Sequence, residues 1–142
     1  MAEFLDLYGR TSKVLRAATE AGMRDLGLHV GQNHLLAALW ELDGQTPGQL
    51  AEALYVTTPT VVKAATRMAN AGLLFRRRDS ADNRLVRLWL TDHGRALQPS
   101  VEAQRAELEQ KVLADLTEDE RKHLISALRK VCQAAEALQP RS

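Results

Sequence analysis

The stretch TPGQLAEALYVTTPTVVKAATRMANAGLLFRRRDSADNRLVRLWLT, Thr46 to Thr91, decides the fold. It opens on a helix start. Thr46 is a good N-cap, Pro47 suits a first helical position, and Gln49 completes a capping box. The short helix this predicts, Pro47 to Leu54, gives way to YVTTP and a second helix. Pro59 suits the first turn of that helix. A residue before proline is biased away from α geometry, so Thr58 is the expected N-cap, with Thr57 beside it. Val61, Ala65, Met68 and Ala69 form an inward face that runs to about Asn70. Gly72 is placed to end the helix as a C′ glycine.

Two strands are predicted next. The first is LLF, with room to extend through Arg76 and Arg77. In the second, LVRLWL, Val86, Leu88 and Leu90 alternate with Arg87 and Trp89. Phe75 and Trp89 are expected to share the outer face as an aromatic cross-strand pair. Between the strands lies RRRDSADNR, Arg76 to Arg84, with six charges in nine residues, read as the connecting loop.

Working outward, Ala2 to Leu26 carries Phe4, Tyr8, Leu15, Ala18, Met23 and Leu26 near helical spacing, and GLHVGQ breaks it. A helix over Gln32 to Leu42 buries Leu35, Leu36, Leu39 and Trp40. Downstream, Thr91 caps a long helix bearing Leu97, Val101, Leu108 and Val112, with Pro99 expected to bend its first turns. Thr117 and Glu120 form a second capping box. The last helix carries Leu124, Leu128, Val131, Ala135 and Leu138. The order is four helices, a hairpin and two helices, a mainly α fold with a small β-hairpin. Strand and helix do not alternate, which excludes a parallel sheet carrying a nucleotide site.

The 142 residues, 45% hydrophobic and 26% charged, suit one folded domain, 1–142. No apolar run reaches about 18 residues, so no membrane span is expected. MAEFLDLYGR lacks the features of a signal peptide. The single cysteine, Cys132, fits a reducing, cytoplasmic setting. It falls on the inward stripe of the last helix, where it is expected to act as a small buried hydrophobe.

Net charge is only +1, but its distribution is uneven. Lys63 to Arg87 holds seven bases against two acids, whereas Glu102 to Lys122 holds seven acids against four bases. A local basic zone on a near-neutral chain points to a polyanion-binding face. The helix opening TTPTVVK lies inside that zone. Small polar residues at a helix N-terminus can approach a base edge, and free N–H groups and the helix dipole favour phosphate. Thr60 and Lys63 share a face, with Arg67 a turn on, opposite the apolar side. Such a helix has one side to pack and one side able to enter a major groove roughly 12 Å wide.

Short helix, turn, second helix and charged hairpin, followed by Leu90-Thr91-Asp92-His93-Gly94, resemble the MarR (multiple antibiotic resistance regulator) family of winged helix-turn-helix transcription factors. The Gly72-Leu73 junction, Arg76 and the pattern Asp79-x-x-Asp82-x-Arg84 also carry the resemblance, which spans nearly the whole chain. It implies a winged helix-turn-helix lobe over about 32–90, with dimerisation helices over about 1–27 and 91–139. It implies a homodimeric, sequence-specific regulator, a repressor on a pseudo-palindromic double-stranded DNA operator. Thr57, Thr58, Pro59, Thr60, Lys63 and Arg67 match DNA-facing positions. Arg84 matches the wing-tip residue of the minor groove, with Asp82 holding it. Arg77 and Arg78 are candidates to track phosphates. Two departures stand out: Arg78 where proline is common, and Asn83 where a second arginine is frequent.

The resemblance further implies an effector cleft between dimer helices and DNA-binding lobe, where many relatives take small aromatic or phenolic acids. Tyr8, Arg16, Met23, His34 and Trp40 are the candidate lining residues. The apolar stripes of the terminal helices independently suit an interface between two copies. The competing reading is a winged-helix architectural nucleic-acid or protein-binding module without an effector. His29, His34, His93 and His123 are scattered without metal-ligand spacing, so no metal is expected. No catalytic motif or phosphate-cradling loop is present, so neither an enzyme nor a cofactor is expected.

Overall fold

The computed structural model describes residues 1–29 and 31–140. The chain divides into two compact units, Met1–Arg105 and Ala106–Ser142. Among the described residues the elements are α1 (Glu3–Arg24), α2 (Gln32–Glu41), α3 (Pro47–Leu54), α4 (Thr58–Asn70), β1 (Leu74–Arg78), β2 (Val86–Leu90), α5 (Asp92–Ala96), α6 (Gln98–Val112) and α7 (Glu118–Ala137).

The helix-turn-helix forms where its capping chemistry directs. Thr46 Oγ1 accepts from Gln49 N at 3.2 Å, and Gln49 Oε1 accepts from Thr46 N at 2.9 Å. The α4 cap differs from expectation by one residue. Thr57, in extended geometry, accepts from Thr60 N at 3.3 Å, and Thr58 is already helical. The pre-proline bias at Thr58 is outweighed by a hydroxyl at Thr57 that reaches a free first-turn N–H. Gly72, at φ +77°, closes α4, and Leu73 N returns to Met68 O at 2.9 Å.

The hairpin is longer than expected on its first side. Arg76 and Arg77 extend β1 as the sequence allowed, and Arg78 joins them, the three pairing with Leu88, Arg87 and Val86. Leu88 N also donates to Gln45 O at 2.9 Å, so the segment before α3 adds a bridge to β2. The helix expected after Thr91 is interrupted at Leu97, leaving α5 and α6 as separate elements. Pro99 has no N–H and its ring crowds the carbonyl four residues back, which accounts for the break.

The core of the first unit joins Leu35, Leu36 and Leu39 of α2, Leu50 of α3, Val61, Ala65 and Met68 of α4, Leu74, Leu88 and Leu90 of the hairpin, and Val101 of α6. Gly94 sits against the Leu73 carbonyl so closely that a Cβ there would overlap it. That contact explains a glycine two residues into α5, since Thr91 N and Oγ1 also bond the Leu73 and Gly72 carbonyls.

In the second unit, Thr117 and Glu120 form the expected capping box of α7. No residue of α7 is buried. Cys132, expected inside, is exposed for that reason.

Candidate nucleic-acid interface

The register of α4 sorts its side chains into three strips. Val61, Ala65 and Met68 face the core. On one flank, Thr66 Oγ1 accepts a hydrogen bond from Arg76 Nη2 of β1. On the other flank and the outer surface stand Thr60, Lys63 and Arg67, all exposed. Thr57, Thr58 and Pro59 are exposed at the N-terminus of the same helix. The Thr60 hydroxyl lies 2.8 Å from the Thr57 hydroxyl, so the cap also orients the first polar side chain of the outer face.

The wing is built from side-chain-to-backbone bonds. Asp79 Oδ1 accepts from Ala81 N at 2.7 Å and Asp82 N at 3.1 Å, folding the turn. Asp82 accepts from Arg84 N, Nε and Nη2 at 3.1, 3.0 and 3.1 Å. The fork-on-carboxylate geometry fixes the guanidinium plane. The Arg84 side chain is nevertheless 86% exposed. Arg78 Nη1 donates to Asn83 O at 3.0 Å, so the two departures from the family pattern meet each other across the loop. The Arg77 guanidinium lies 5.2 Å from the Phe75 ring centre. Phe75 and Trp89 are register partners as expected, yet the Trp89 ring lies over Gly44, where a Cβ would overlap it.

A brace behind the wing escaped the sequence reading. Arg87 Nε donates to Asp79 Oδ2 at 2.6 Å, and Arg87 Nη1 donates to Gly44 O at 2.9 Å. Asp43 Oδ1 accepts from Leu90 N and Gly44 N, both at 3.0 Å. Outward alternation of Arg87 on β2 hinted at a polar role, but its partner lies 43 residues away. The electrostatics follow these contacts. The Arg87 guanidinium, then the Ala81 and Asp82 amides, hold the Asp79 carboxyl below its ordinary range. Arg84, through its side chain and then its N–H, does the same for Asp82. Asp82 in turn raises the already high Arg84.

The five candidate effector residues are not gathered into one wall. Met23 is sealed in the core at 2% exposure, which removes it as a lining residue. Trp40 spends its indole N–H on Gly94 O at 3.0 Å. Tyr8 is exposed and stacks on Phe4 at 5.7 Å. Arg16 and His34 are linked only through charge. Partial burial, then Arg105, then Arg16 push the His34 imidazole below its usual value. Among the described residues no three His, Cys, Asp or Glu side chains gather as a metal site. Cys132 Sγ donates to Glu136 Oε1 at 3.1 Å, and that bond raises the thiol above its ordinary value, away from reactive thiolate.

An open cleft of about 410 Å³ runs along the free flank of α4. It is lined by Glu20 and Arg24 of α1, His29, and Thr60, Lys63 and Arg67 of α4. None of the five effector candidates borders it. No described helix is long and apolar enough to cross a membrane.

Comparison with known proteins agrees with this geometry. Residues 28–86 match the MarR family. The chain is 34% identical over 86 residues to the HTH-type transcriptional regulator PecS of Dickeya dadantii (strain 3937), a match covering 61% of this chain and 52% of PecS. It thus spans about half the length of that relative. It is 27% identical over 127 residues to the uncharacterized HTH-type transcriptional regulator YdgJ of Bacillus subtilis (strain 168), covering 89% of this chain and 76% of that one. Among solved structures, the S. aureus MepR–DNA complex superposes with a TM-score of 0.83 at 25% identity, covering 92% of this chain and 97% of MepR.

Proposed function

We propose that this chain, whose residues 28–86 match the MarR family, is a cytoplasmic MarR-type regulator of transcription that binds double-stranded DNA as a homodimer. The observation that carries the reading is one lobe presenting both an exposed polar face on α4 and a wing-tip arginine held by its own aspartate. In this reading the N-terminal turn of α4 enters the major groove. Thr57, Thr58, Pro59 and Thr60 approach base edges and phosphates, while Lys63 and Arg67 meet the backbone. Arg84 enters the minor groove, whose narrow stretches attract arginine through an enhanced negative potential. Asp82 would be repelled by phosphate on its own; paired with Arg84 it orients the guanidinium. Arg77 and Arg78 lie on the strand leading to the tip.

The whole chain acts as one regulator, with 32–90 as the reading head and 1–27 and 91–139 as dimerisation helices. The exposed apolar residues of α1 and of α7 support self-association. A two-fold pair of heads reads a pseudo-palindromic operator one DNA turn between half-sites, and occupancy of that operator represses. A small aromatic or phenolic acid, its carboxylate met by Arg16 and His34, releases the DNA to the extent that it prefers the unbound conformation.

The deciding experiment is a salt titration of binding to promoter fragments selected from the source genome. Phosphate contacts release counterions, so log affinity should fall steeply with log salt. A flat dependence, or no fragment retained, would reject the reading. Selection would also return the half-site spacing.

A further inference from the structure

We infer that Arg24 and His29 form a second backbone-gripping surface beside the reading helix, so that α4 is flanked by phosphate contacts on both sides. This rests on the DNA-binding reading above. A helix in the major groove lies between two sugar-phosphate strands. On the β1 side of α4 stand the arginines of the hairpin, tied to the helix by the Arg76–Thr66 bond. The opposite side is the cleft, where α1 and the residue His29 approach α4.

The charges in that cleft are arranged for an anion. Arg24, Lys63 and Arg67 line it together against a single acid, Glu20. None of the three cations takes part in an ion pair among the described residues. Hairpin cations are spent differently: Arg84 and Arg87 each hold an aspartate. Three cations facing one open volume against one acid leave a net positive charge there, and a phosphate entering relieves their repulsion. The cleft is open rather than enclosed, as a strand running past it requires. Lys63 belongs both to the outer surface of α4 and to the cleft, so the two surfaces are continuous. Phosphate contacts of this kind set register and orientation and carry no sequence preference.

Sheared genomic duplex DNA is therefore a sufficient probe. The full-length chain and its Arg24→Ala, Arg24→Lys, His29→Ala and Glu20→Gln variants are compared by fluorescence anisotropy across a salt series. Arg24 is exposed, so melting temperatures should match. Arg24→Ala is expected to weaken binding several-fold and to lower the slope of log affinity against log salt by about 0.9, one phosphate contact. Arg24→Lys should restore the slope. His29→Ala should weaken binding at every salt concentration. Glu20→Gln should tighten it, because the one opposing charge is gone. If the unmodified chain binds steeply and Arg24→Ala changes nothing, this surface is refuted while the DNA reading stands. If no variant binds duplex, unmodified chain included, the underlying reading fails instead. If Arg24→Ala binds DNA normally but loses calorimetric binding of salicylate or pyrophosphate shown by the unmodified chain, the cleft is a small-anion site and the inference is overturned.

Discussion

Arg87 and Asp79 join the two ends of the wing: Arg87 Nε, on β2, donates a 2.6 Å bond to the carboxylate that folds the hairpin turn. The other arm of the guanidinium grips Gly44 O, in the loop after α2. The turn carrying Arg84 is thus anchored to the helical part of the lobe rather than to its own strands alone. A hairpin tip without such an anchor is free to sway, and an arginine aimed into a groove loses affinity when its orientation must be paid for on binding.

Removing the anchor should therefore cost DNA affinity more than fold. Arg87→Met keeps much of the aliphatic length but drops both bonds. Expected are weaker operator binding, faster amide exchange at Ala81 and Asp82, and retained helical circular dichroism. Asp79→Asn should show the same pattern more mildly, because its remaining carbonyl still accepts from the turn amides. Unchanged exchange together with unchanged affinity would show that the brace is idle.

The same contacts make a pH prediction with a definite sign. Both Asp79 and Asp82 are held below the ordinary carboxylate value, chiefly by Arg87 and Arg84. A depressed folded pKa contributes stability that is complete above the unfolded value of about 3.9 and is lost as pH falls through the lower folded value. The wing should hold its shape from neutral pH down to that ordinary range and loosen only beneath it. Carboxyl carbon titration by NMR should give both midpoints below about 3.9; midpoints at or above it would contradict the pairing.

Arg84→Ala tests the wing tip directly. Its guanidinium is 86% exposed and paired only with a neighbour two residues away, so the fold hardly depends on it. Operator affinity should fall while the melting temperature stays put. A large drop in melting temperature would make the residue structural.

Much of this was readable from local signals. Capping boxes at Thr46 and Thr117, the C′ glycine and the alternation of β2 are short-range patterns, and α3, α4 and β2 formed within a residue or two of their expected spans. What escaped depends on distant residues meeting. Arg87 finds Gly44 across 43 positions, Trp40 finds Gly94 across 54, and Arg24 of α1 shares a cleft with Lys63 and Arg67 of α4. Periodicity also marks an apolar stripe without saying what covers it, which is why Cys132 was expected inside and stands exposed.

Gly94 offers a stability test with opposed effects. Alanine in a helix interior usually gains up to about 1 kcal/mol over glycine. Here the new methyl would overlap the Leu73 carbonyl oxygen, a backbone atom that cannot swing aside. Overlap of this sort costs about 1–3 kcal/mol, so the clash should win. Gly94→Ala is expected to lower the melting temperature by several degrees in calorimetry; a higher melting temperature would show that the α5 junction can give way.

If the chain pairs as proposed, the α7 stripe is a candidate joint between the two copies. Leu124, Ile125, Leu128 and Val131 are each between 37% and 43% exposed, at helical spacing along one element. A stable interface buries about 1,200–2,000 Å², and a stripe of this length on each of two copies can supply a large share of it. Leu128→Glu would set a charge in the middle of that stripe, unpaired and desolvated in any dimer. Sedimentation at micromolar concentration should give a dimer for the unmodified chain and a shift toward monomer for the variant. Operator affinity should fall with it, since two linked heads bind far more tightly than one through effective concentration. The reading head itself should survive, because its core lies in Met1–Arg105. Equal masses for both proteins would show that α7 is not the joint, and a monomeric unmodified chain would remove the two-headed operator altogether.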